Sequence, residues 1–130
     1  MIQGIFFDAA DVFYRRDEST SAFAARLLAE GGFRTRIAPE QERQLAELHG
    51  RASRGAIGHE EFWREYLLAH GVTSGERQAS MAAQIAEQTM VIRPIAGAHE
   101  TVRDLKGRGF IIGIVTDTIY PLSWKMKWLE

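Results

Sequence analysis

The chain has 130 residues, enough for one domain with a real core but near the small end for an enzyme. Its 45% hydrophobic and 25% charged residues are those of an ordinary globular protein, and a net charge of −1 gives no general pull toward nucleic acid or membrane surfaces. With no cysteine, disulfides, thiolate nucleophiles and Cys-based zinc sites are excluded together.

Met1 to Phe7 reads as a short apolar run of branched and aromatic residues ending at Asp8, the pattern of a buried strand. It is too short for a membrane span and lacks the basic start of a secretory signal. A native start, a cytoplasmic location and no membrane partner are therefore expected.

Helices follow. Ser19 to Glu30 sets Phe23 with Leu27 and Ala24 with Leu28, and Gly31-Gly32 supplies a stop. Pro39 opens a second helix with Leu45, Leu48 and Ala52 on one face, ending near Gly55. A third runs from about Gly58 to His70 with Phe62, Tyr66 and Leu67 as its stripe. Thr73 and Glu76 have capping-box spacing before a fourth helix carrying Met81, Ile85 and Ala86.

Pro94 and Gly97 break the pattern before a fifth helix, Ala98 to Arg108, whose inner face is Ala98, Val102 and Leu105. Gly109 ends it just before a second apolar strand, Phe110 to Val115, which ends at Thr116-Asp117-Thr118. Helix followed by strand is the unit of a parallel sheet. Pro121 opens a last helix with Leu122, Met126 and Leu129 on one side.

Asp8 and Thr116 each follow a strand, at the carboxyl edge where open α/β sheets gather their ligands. A carboxylate there suits a nucleophile, and a hydroxyl with nearby backbone N–H groups suits a phosphoryl oxygen. The four histidines show no metal-ligand spacing. The arginines of the helical stretch read as a solvated face, and Trp63, Trp124 and Trp128 as packing residues, with Trp128 exposed if further strands are absent.

Phe6-Phe7-Asp8-Ala9-Ala10-Asp11-Val12-Phe13 and Gly113-Ile114-Val115-Thr116-Asp117 resemble the first two motifs of the haloacid dehalogenase-like hydrolases. Arg93-Pro94-Ile95-Ala96-Gly97-Ala98, then Leu105 to Phe110, resembles the approach to the second motif. The resemblance covers the whole chain. It implies an α/β fold: a Rossmann-like parallel sheet core over 1–13 and 91–130, incomplete in this chain, with an inserted α-helical cap over 14–90.

By position, Asp8 would be the nucleophile and a magnesium ligand, the Ala10 backbone carbonyl a second ligand, and Thr116 with Asp117 the phosphate-binding pair. The implied substrate is a small phosphorylated or halogenated molecule, with no nucleic acid or membrane partner. Open sheet edges favour a homo-oligomer.

Two departures stand out. Ala10 occupies the position of the family's second acid, and Asp11 is one residue too far along. Lys125 and Lys127 follow Thr116 too closely to be the third-motif lysine and read as the solvent face of the last helix. With the third and fourth motifs missing, the chain is expected to be truncated or degenerate. The first reading is a phosphatase-type hydrolase. Its alternatives are carbon–halogen hydrolysis, whose halide leaving group needs no proton, and a degenerate member that binds or regulates. A lysine-based Schiff-base route is disfavoured because 14–90 contains no lysine.

Overall fold

The computed structural model describes residues 1–130 and shows a mixed α/β chain. In order, its elements are β1 (Gly4–Phe7), β2 (Tyr14–Arg15), α1 (Thr20–Glu30), α2 (Pro39–Ser53), α3 (His59–Ala69), α4 (Gly75–Thr89), β3 (Arg93–Pro94), α5 (Ala98–Gly107), β4 (Ile111–Ile114) and α6 (Leu122–Leu129). They fall into two compact units, one of Met1–Asp17, Ile92–Asp117 and Leu122–Glu130, the other of Glu18–Val91 and Thr118–Pro121.

In the first unit β1 and β4 pair in parallel, with Gly4 opposite Ile111 and Phe7 opposite Ile114. Gly109, at φ 89°, releases α5 into β4 in a left-handed conformation that glycine adopts without penalty. The strands are not buried on both faces, as their apolar runs suggest. Phe6 is 74% exposed and Ile111 is 71% exposed, whereas Ile5, Phe7 and Ile112 on the other face are half-buried. The reason is coverage: with two strands paired, the Phe6 and Ile111 face stands open. The Phe6 ring lies across Gly113, where a Cβ would meet it at 2.5 Å.

The sequence pattern also passes over a second, antiparallel pair, β2 with β3, in which Tyr14 faces Pro94 and Arg15 faces Arg93. Strands of two residues are too short for periodicity to register. The Ile95 N–H donates to the Phe13 carbonyl at 2.9 Å, and Arg93 pairs with Asp17 at 2.7 Å, so the pair is secured at both ends.

The second unit is a helical bundle in which α4 packs against α1 and α3, and α2 against α3. Its core joins Ala24 and Leu28 of α1, Ala52 of α2, Phe62, Trp63 and Leu67 of α3, and Met81 and Ile85 of α4, with Ile57 and Val72 from the connections. Ser19 caps α1, its hydroxyl accepting the Ala22 N–H at 3.1 Å. At α4 the cap is Ser74, not Thr73: the Ser74 side chain accepts the Arg77 N–H. Either hydroxyl precedes an acid at plausible spacing, and the extended backbone falls at Ser74. Thr118–Pro121 belongs with these helices, where the Tyr120 hydroxyl accepts the Trp63 indole N–H at 3.0 Å and Ile119 packs on the core.

Candidate functional site

Asp8 leaves β1 at the carboxyl edge of the parallel pair and is exposed. The pairing runs one step past the strands, because the Val115 N–H donates to the Phe7 carbonyl at 2.9 Å. Asp8 therefore lies beside Val115 in register, and Thr116 is the next residue along. Asp8 and Thr116, 108 positions apart by their numbers, thus meet at one sheet edge. One Asp8 carboxylate oxygen accepts the N–H of Ala9 at 2.6 Å.

Past Asp8 the chain turns at once. The Ala9 carbonyl accepts the N–H groups of Val12 and Phe13, and Asp11 donates its N–H to the Tyr14 carbonyl at 2.7 Å. Asp11 takes φ 60°, in the left-handed region that short polar side chains tolerate better than other non-glycine residues. Ala9 is fully buried, whereas Ala10 and Asp11 are exposed. Asp117 is exposed as well, and its backbone carbonyl accepts the Thr116 hydroxyl at 3.4 Å.

The helix after Thr116 overturns one expectation. Lys125 is not on the solvent face of α6; it is 6% exposed. Its Nζ donates to the Tyr14 hydroxyl at 2.7 Å and to the Thr116 hydroxyl at 3.2 Å. It also stands 5.1 Å from the Trp128 ring centroid, within cation–π range. No carboxylate lies in ion-pair range of it.

Trp128 is likewise buried, not exposed, and meets Tyr14 edge-on at 5.6 Å. The Arg16 guanidinium covers the Trp128 ring at 4.7 Å. Leu122 and Met126, grouped by spacing on one side with Leu129, are exposed, while Leu129 is half-buried. The inward pair of α6 is Lys125 and Trp128, one turn apart. Periodicity misses it because an apolar stripe outranks a lysine; the i, i+3 spacing of that lysine from a tryptophan is the only sequence signal.

The implied magnesium donors, Asp8 and the Ala10 carbonyl, come from one short loop. No three His, Cys, Asp or Glu side chains cluster to hold a metal. Two protein oxygens still suit magnesium, which keeps several waters and is commonly held by one or two carboxylates together with substrate phosphate oxygens. A separate groove of about 720 Å³ runs along α5, β4 and α6, lined by Phe13, Ile95, Val102, Ile112 and Trp128 among others. None of Asp8, Ala10, Thr116 and Asp117 borders it.

Compared with known proteins, the chain matches no protein-family model and no curated protein sequence.

Proposed function

We propose that the chain is a haloacid dehalogenase-like hydrolase of phosphatase type, acting on a small phosphorylated molecule with Asp8 as nucleophile. In this reading the parallel pair belongs to a Rossmann-like core and the helical unit corresponds to that family's cap. The observation that carries it is the β1–β4 register, which brings Asp8 and Thr116 to adjacent strand ends. A carboxylate oxygen forms the bond to phosphorus, while the Thr116 hydroxyl holds a phosphoryl oxygen. Lys125, against Thr116, adds positive charge where the anionic group sits.

Asp8 and the Ala10 carbonyl would hold magnesium, whose charge would offset that building on the phosphoryl oxygens. Asp8 is exposed to incoming substrate and Ala10 adds no bulk beside it.

The test is hydrolysis of p-nitrophenyl phosphate in magnesium buffer by the wild type and Asp8→Asn. Turnover by the wild type and its loss in Asp8→Asn are expected; equal rates remove Asp8 from the mechanism. Halide release from a 2-haloacid with no phosphate release would move the reading to carbon–halogen hydrolysis.

A further inference from the structure

Expelling an alkoxide from a phosphate ester requires a proton, and Asp8 cannot supply one while it is forming the bond to phosphorus. Asp11 is exposed, with its backbone committed to the turn that leads to Tyr14. The buried proton-bearing group at Thr116 is Lys125.

We propose that Lys125 is the general acid of this site, a role that rests on the Asp8 reading above. Three observations carry it. Lys125 Nζ bridges the Thr116 and Tyr14 hydroxyls, so it sits at the carboxyl edge of the sheet and not in bulk water. An ammonium has three N–H donors, and these two hydroxyls use two of them. A buried cation is normally paired with a carboxylate, yet none is in ion-pair range here. The Trp128 ring stands within cation–π range of the cation at 5.1 Å, and the third N–H is left for a ligand.

The step balances as follows. An Asp8 carboxylate oxygen bonds to phosphorus as the P–O bond to the leaving oxygen breaks. The electron pair stays on that oxygen, which takes a proton from Lys125 Nζ and departs as an alcohol. Water then attacks the phosphorus of the aspartyl phosphate. The Asp8–phosphorus bond breaks, and the water's proton returns to the Lys125 amine.

Leaving-group acidity is the readout, because losing a group that only holds the anion slows all the esters alike, whereas losing the proton donor slows the poorest leaving groups most. We would measure kcat/KM for p-nitrophenyl, phenyl and propyl phosphate with the full chain. The wild type should depend weakly on the leaving group. Lys125→Met removes the charge as well and should lose activity on every ester, but about 10²–10⁴-fold more on propyl phosphate than on p-nitrophenyl phosphate. Lys125→Arg, which keeps the charge but holds its proton, should show the same selective loss.

Uniform losses over the series, or full propyl phosphate activity in Lys125→Arg, would overturn the assignment while leaving Asp8 in place. So would a steep leaving-group dependence in the wild type, a measurement that needs no variant to fold. If the wild type turns over none of the esters, or Asp8→Asn matches it, the Asp8 reading falls and the proton donor falls with it.

Discussion

The ammonium of Lys125 donates a 2.7 Å hydrogen bond to the hydroxyl of Tyr14, a residue 111 positions earlier in the chain. The bond ties α6 to the short β2 strand in a buried setting, with Trp128 packed edge-on against the Tyr14 ring. Tyr14→Phe keeps the ring and removes only the acceptor. Hydrogen bonds to charged groups contribute about 1.5–3 kcal/mol. The variant should lose about that much, read as a lower urea midpoint at unchanged slope. A loss below about 0.5 kcal/mol would mean that water replaces the hydroxyl.

Tyr120 plays a comparable part in the helical unit. Its hydroxyl accepts the Trp63 indole N–H at 3.0 Å and lies 3.2 Å from the Thr89 hydroxyl. Trp63 and Thr89 are both buried, so Tyr120→Phe leaves the indole N–H without its acceptor. A buried donor left unpaired costs about 1–3 kcal/mol, and the melting temperature should fall accordingly. An unchanged melting curve would show that the Tyr120 hydroxyl adds nothing to the stability of the bundle.

How much of this was legible in the sequence depended on whether a feature was local. Helix α1 and its cap at Ser19 follow from spacing and a hydroxyl, and the helix stops at the expected glycines. The meeting of Asp8 and Thr116 was legible as well, because each ends an apolar run that a parallel pair aligns. What was not legible depends on contacts across the chain. Lys125 is buried because two hydroxyls and the Trp128 ring receive it, and a residue-by-residue scale scores only its charge. The two-residue strands β2 and β3 carry no period of their own, and distant pairing defines them.

Gly97 is the N-cap of α5 at φ 81°. A Cβ there would find space, with its nearest neighbour the Glu100 carboxylate at 4.0 Å, so the cost of a side chain is purely conformational. Gly97→Ala should destabilise the chain by about 1–2 kcal/mol, the penalty of left-handed backbone for an L-residue. Gly58, the N-cap of α3, has ordinary extended backbone and serves as the control. Gly58→Ala should cost less by denaturant titration, and equal losses would contradict the backbone argument.

The last prediction concerns alkaline pH. Burial pushes the Tyr66 phenol above its ordinary value near 10, because the phenolate loses water on folding. Its ring is packed by Trp63 at 5.2 Å and His70 at 4.3 Å. Below about pH 10 the phenol is neutral whether the chain is folded or unfolded, and pH has no effect through this group. As pH rises past that point, the unfolded chain releases the Tyr66 proton while the folded chain still holds it. The folded state then binds more protons, so stability falls with pH until the folded phenol ionises too. Tyr66→Phe removes this contribution and keeps the ring. Its stability should therefore decline less steeply than that of the wild type between pH 9 and 11, as read by urea midpoints. Every other titrating group is shared by the two proteins, so parallel declines would mean that Tyr66 ionises as freely in the folded chain as in the unfolded one.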